Sequence, residues 1–255
     1  MFNWSAFTLF LYMLMRMSGF VMFNPFFGRN GIPAMFQAGF IGLMSVSTYY
    51  AYDGAVAMPA TLVEFAVHLV LELGLGFLAA LIMHLFFYIA DQGGEVLSTQ
   101  MGLSMARNYD PSSQANLTTI SNFLTILMYL LFFAGNGHIT LLRMMLVSGE
   151  IIPFGTVRLG EDVAERVMEL FVDCALMGMK LCLPILGAEL IGQFGMGILM
   201  KVIPQINVFA LNIELKVIVG LAILMMLMSP IGEFLLEAES TMLVEIRQAM
   251  ALAGG

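Results

Sequence analysis

Glu64, His68 and Glu72 stand four residues apart in a thirty-residue apolar run from Thr61 to Ala90. At about 100° per residue they share one face of a helix long enough to cross a bilayer. Carboxylate and imidazole side chains on one face could hold a divalent metal, or could carry protons or couple a solute at mid-membrane. Di-iron bundles set their ligands as Glu-x-x-His on paired helices, and a second helix of that kind is not found in the sequence. No metal is therefore expected. His84 lies on another face and His138 sits at a turn, and neither is joined by a serine, cysteine or aspartate arrangement suited to hydrolysis. No catalytic residue and no cofactor is assigned. An ionised carboxylate in hydrocarbon costs roughly 2.5 kcal/mol or more, so the stripe must face a bundle interior, a water-lined space or another subunit.

A second constellation lies further on. Asp162, Glu165, Arg166, Glu169, Asp173 and Lys180 fall within an arc of about 100° on one helix, with Val167, Phe171, Cys174, Ala175 and Gly178 opposite. A proton relay through Glu169 and Asp173 would use this geometry, but a polar face meeting solvent or a neighbour explains it with less. Glu64, His68, Glu72, Glu165, Glu169, Asp173 and Lys180 are accordingly read as subunit-interface stripes. The last segment repeats apolar residues at Leu235, Ala238, Met242, Ile246 and Ala249 beside Glu233, Glu237, Glu239 and Glu245, a pattern that seeks a partner helix. Cys174 and Cys182 are about 12 Å apart along one helix, too far to bridge within it, and read as small buried residues. The 24 methionines cluster at Met13, Met15 and Met17, at Met196 and Met200, and at Met225, Met226 and Met228. Gap-filling is the plain reading of so adaptable a side chain.

The elements that carry these residues are apolar. Of 255 residues, 60% are hydrophobic and 11% charged, with a mean hydropathy of +0.92, which excludes an ordinary soluble domain. The fold class expected is all-α: a single membrane-associated unit of broken helical hairpins, with room for roughly six spanning helices. Candidate helices are Trp4 to Phe23, Ala34 to Tyr52, Thr61 to Ala90, Leu117 to Ala134, Val163 to Leu186, Ala188 to Met200, Val208 to Met228 and Ile231 to Ala251. Breaks are expected at Asn24-Pro25, Ile32-Pro33, Asp53-Gly54, Gly93-Gly94, Asp110-Pro111, Gly135-Asn136-Gly137, Pro153, Pro184, Pro204 and Ser229-Pro230. Gly74, Gly76 and Ala80, with Ala188 and Gly192, read as close helix contacts. The first apolar segment lacks a basic leader and is expected to be retained. The net charge of −8, from 18 acids against 10 bases, argues against nucleic acid and anionic headgroups, leaving protein as the partner. Lys and Arg are scattered, so the positive-inside rule sets no topology.

Residues 91 to 116 form the longest stretch without a strong apolar run, a length unusual enough for a connection to suggest function. Val96 to Ala106 could form a short helix, and Arg107 to Ser113 reads as a turn-rich tip. Non-helical backbone at membrane depth survives only where protein buries it or water reaches it, so this loop sits at a surface or in a pore.

Several motifs together resemble the FliR family of flagellar type III export-gate proteins, whose injectisome counterpart is SctT. They are Asn24-Pro25-Phe26 with Ile32-Pro33, Gly94-Glu95, Gln100-Met101-Gly102-Leu103-Ser104-Met105-Ala106, Asp110-Pro111, Asn136-Gly137-His138 and Ile203-Pro204-Gln205-Ile206-Asn207-Val208-Phe209. The similarity runs end to end, with one departure: Glu214 stands where relatives usually carry proline. It implies a subunit that completes a helical ring with FliP and FliQ in the inner membrane of the flagellar basal body, with FlhB near the C-terminal side and unfolded flagellar proteins as cargo. The resemblance further implies a FliP-like portion over 1–186 and a FliQ-like hairpin over 187–255, turning at Pro204, Gln205 and Asn207. The loop Gly102, Leu103, Ser104, Met105, Ala106, Arg107, Asn108, Tyr109, Asp110 and Pro111 would be the family's plug. A secondary transporter for a small solute, coupled through Glu64, His68, Glu72 and Asp173, is the rival reading, and it would have to work alone in liposomes.

Overall fold

A computed structural model describes residues 4–28, 32–52, 54, 56, 58–103, 118–202 and 208–254. Among them every regular element is helical: α1 (Trp4–Met22), α2 (Ala34–Ala51), α3 (Leu62–Gln100), α4 (Thr119–Ala134), α5 (Gly137–Leu146), α6 (Ser148–Ile151), α7 (Glu161–Val202), α8 (Val208–Met226) and α9 (Met228–Leu252). Three of these are long and apolar enough to cross a membrane, or up to five if each bent pair is one span. That is short of the roughly six that chain length allows.

Two expected breaks do not occur. α3 runs unbroken through Gly93 and Gly94 to Gln100, and α7 runs through Pro184. Glycine weakens a helix mainly by its backbone freedom, about 1 kcal/mol against alanine, which close packing can offset. A Cβ on Gly94 would strike the backbone of Ser121 in α4, and one on Gly93 would meet Leu181 of α7 at 2.7 Å. The two glycines therefore admit neighbouring helices and do not end their own. The helix over residues 137–146 was hidden in the sequence by the turn signal before it, where Asn136 takes a left-handed conformation at φ 58°.

The chain forms two compact units. The first comprises Met1–Phe86, Asn136–Phe171 and Glu239–Gly255, the second Phe87–Gly135 and Val172–Ala238. In the first, α1 packs on α2 and also runs parallel to α3. Tyr12 meets His68 and Arg16 meets Glu72, both pairs 56 residues apart, so contacts advance together along the two helices. Gly76 makes this approach possible, because a side chain there would collide with the carbonyl of Arg16. Tyr12, Met13 and Phe154 form a core with Leu9, Tyr49, Tyr52 and Phe65 around it. In the second unit, Phe87 stacks on Tyr129, and Ser121 donates to the Asp91 carbonyl at 3.0 Å. Thr125 also bonds the Asp91 carboxylate.

Cys174 and Cys182 form no disulfide and both are buried, as their apolar reading requires. The expected apolar row of α9, Leu235, Ala238, Met242, Ile246 and Ala249, is buried throughout. The methionines divide: Met13, Met17, Met83 and Met101 fill the interior, whereas Met225 and Met226 are 76% and 81% exposed.

Candidate functional site

The centre of the first unit is an ion pair with no exposure to solvent on either side. Arg16 Nε donates to Glu72 Oε2 at 2.6 Å. Its Nη1 donates to Ser148 Oγ at 3.0 Å, and Nη1 and Nη2 both reach the Ile152 carbonyl at 3.2 Å. The guanidinium lies 4.1 Å from the centroid of Phe154, within cation–π range. Glu72 Oε1 accepts from the backbone N–H of Gly155 at 2.7 Å. Gly155 holds φ at 85°, a conformation that glycine adopts without strain and that aims its N–H at the carboxylate. A buried charge is tolerable only when paired and hydrogen-bonded, and here both charges are.

This geometry sets Glu72 apart within the first stripe. Glu72 spends both oxygens inside its own chain. His68 Nδ1 lies 3.4 Å from the Tyr12 hydroxyl, with the two rings edge to face. Glu64 caps the start of α3: its N–H donates to Thr61 Oγ1 at 3.2 Å, and its Oε2 accepts from Ala60 N at 2.6 Å, a variant of the capping box. Glu72 is therefore taken up inside the subunit, whereas Glu64 and His68, each with a partner of its own here, are half-buried. Arg16 is the residue sequence reasoning overlooked as a partner. Its signal was present, since Tyr12 and Arg16 are spaced four apart on α1, matching His68 and Glu72 on α3.

The second stripe behaves differently. Arg166 is clamped by Glu245 of α9, with Nε and Nη2 reaching its carboxylate at 2.6–3.1 Å, and by Glu169 at 2.9 Å. Glu165, Glu169, Asp173 and Lys180 are exposed. Large apolar side chains are exposed between them on the same helix, including Met168 at 65%, Phe171 at 50% and Leu176 at 52%. A face mixing open carboxylates with open methionine, phenylalanine and leucine suits neither water nor lipid alone.

Gly102, first residue of the expected plug, ends α3. Its φ is 76°, its N–H reaches the Thr99 carbonyl at 3.2 Å, and Leu103 N reaches the Ser98 carbonyl at 3.0 Å. This pair of bonds with a left-handed glycine is the Schellman stop. Ser104, Met105, Ala106, Arg107, Asn108, Tyr109, Asp110 and Pro111 lie outside the described residues, as do Pro204, Gln205 and Asn207 of the expected hairpin turn.

Residues 7–242 match the family described as bacterial export proteins, family 1. The chain belongs to this family. It is 26% identical over 259 residues to the flagellar biosynthetic protein FliR of Bacillus subtilis (strain 168), covering 97% of this chain and 96% of that one. FliR of Escherichia coli (strain K12) is 26% identical over 218 residues, 84% of this chain and 81% of the other. FliR of Buchnera aphidicola subsp. Baizongia pistaciae is 32% identical over 146 residues, and the match spans 57% of each chain. Family and relatives together identify a membrane-associated component of flagellar export.

Proposed function

We propose that this chain is a structural, non-catalytic subunit of the flagellar export gate, completing a helical channel with FliP and FliQ homologues in the inner membrane at the basal body. Unfolded flagellar proteins are its cargo, and FlhB adjoins it near the C-terminal side. The family match over residues 7–242 carries this reading. Its physical support is the contrast between the two polar stripes. Glu72 is satisfied within the subunit, with Glu64 and His68 partnered beside it, whereas the exposed Glu165, Glu169, Asp173 and Lys180 stand among exposed apolar side chains that need protein cover. In this reading residues 1–186 form the FliP-like portion, 187–255 the FliQ-like hairpin, and the segment from Gly102 to Pro111 helps to close the passage.

A solute transporter coupled through Glu64, His68, Glu72 and Asp173 gains no support at Glu72, whose two oxygens are held by Arg16 and the Gly155 N–H with no exposure to solvent. Affinity purification from membranes of cells making the full flagellar set tests the proposal. Recovery in a stable complex with FliP and FliQ homologues is expected. Recovery as a stable solitary monomer that catalyses solute flux in liposomes would overturn it.

A further inference from the structure

A cleft of about 180 Å3 opens between α7 and α8 in the second unit, lined by Glu189, Gly192, Gly195, Lys216 and Val219 among others. Glu189 is 3% exposed, and its Oε1 has no hydrogen-bond partner. The carboxylate fits because residue 220 is glycine: a Cβ there would lie 2.9 Å from Oε1. Lys216 lines the same cleft and its charge acts on Glu189, but it stays beyond ion-pair distance; the ion pairs among the described residues are Arg16–Glu72, Arg166–Glu169 and Arg166–Glu245. A carboxylate so buried, with an oxygen unbonded, costs free energy until a donor reaches it.

The open wall of the cleft shows where that donor enters. A Cβ on Gly192 or Gly195 would meet nothing within 4 Å, so a neighbouring helix can lay its backbone close against α7 at this point. Ile191, Phe194 and Ile198, all exposed, flank the glycines and supply apolar contact. Lipid tails offer no donor, and anionic headgroups repel both the carboxylate and a chain of net charge −8. Charge complementarity calls for a cation on a protein.

We propose that the Glu189 cleft is a socket for one lysine or arginine side chain carried on a helix of a neighbouring export-gate subunit. The inference rests on the export-gate reading and adds the residue that fixes the register of one contact. Truncating or reversing one member of a buried charge pair weakens association strongly.

The test uses the full chain assembled in membranes with its companion subunits. Glu189→Lys should lower the fraction of chain recovered in the complex roughly tenfold or more, and Glu189→Gln, which keeps one acceptor oxygen for the incoming donor, should lower it far less. Thermal unfolding of the isolated variants shows that each still folds. A photo-crosslinking residue at Gly192 should label another gate subunit, and replacing a basic residue in the labelled helix by glutamate should restore assembly of Glu189→Lys. Normal assembly of Glu189→Lys, labelling of lipid alone, or rescue by Lys216→Glu within the same chain would each overturn the socket. If wild-type chain assembles and Glu189→Lys assembles equally, the socket fails and the export-gate reading stands; if wild-type chain never joins a complex, the export-gate reading itself fails.

Discussion

Replacing Glu72 by alanine strips Arg16 Nε of its acceptor and leaves the Gly155 N–H unbonded. An unpaired buried charge costs about 3–5 kcal/mol, and an orphaned buried amide about 1–3 kcal/mol. Arg16 keeps Ser148 Oγ, the Ile152 carbonyl and the Phe154 ring, which offset part of this, so the expected net loss is about 4 kcal/mol. For a chain of this size that lowers Tm by roughly 8–16 °C, at roughly 2–4 °C per kcal/mol. Arg16→Met should cost a similar amount, because Glu72 then keeps only the Gly155 amide. The combined Arg16→Met, Glu72→Leu variant removes both charges together, and exchanges of that kind are often neutral or stabilising. It should melt above either single variant, with a coupling energy of about 3 kcal/mol or more. Thermal unfolding in detergent measures this, and trypsin cleavage after the exposed Arg158 reports the local effect, since the cluster pins residues 148–155 to α1 and α3. A double variant no more stable than the weaker single would refute the reasoning.

Gly94→Ala should destabilise the second unit by about 3 kcal/mol, because the new Cβ meets the backbone of Ser121, which cannot swing aside; a matching fall in Tm checks it. Arg166→Ala removes a partly exposed clamp on Glu245 and should cost only about 1 kcal/mol, read the same way. Gly39→Ala and Gly42→Ala on α2 meet nothing within 4 Å and should each stabilise the isolated chain by up to about 1 kcal/mol. If α2 packs on another subunit, the same changes will lower yield of the assembled gate. Deleting Arg107 to Pro111 should raise small-ion leakage through the assembled gate while some export persists, and unchanged leakage would remove the plug role.

The helix ends closest to strong local punctuation were legible. Trp4 to Phe23 and Ala34 to Tyr52 differ from α1 and α2 by one residue each, because Asn24-Pro25 and Pro33 act within the segment that contains them. Gly93, Gly94 and Pro184 misled because their effect depends on which helix lies against them, and Ser121 and Leu181 are distant in sequence. The polar stripes were visible as faces, but not what covers them. Glu72 and Asp173 look alike in a helical projection, yet one is sealed by Arg16 and the other is open. Glu189 carried no signal of its own, a single acid amid glycines and apolar residues, and only the cleft around it made it conspicuous.

The Arg16–Glu72 contact bears on how the chain enters the membrane during synthesis. Glu72 leaves the ribosome 56 residues after Arg16, and Ile152 follows 136 residues after it. At about 5–20 residues per second the first helix waits roughly 3–11 s for its counter-charge and roughly 7–27 s for the complete cradle. Releasing a lone arginine or glutamate from the translocon into lipid costs roughly 2.5–3.5 kcal/mol at mid-helix. The nascent first and third helices are thus better held back and released together, as a block whose orientation is chosen by which charges meet. Scattered loop lysines and arginines are what such a route would leave behind.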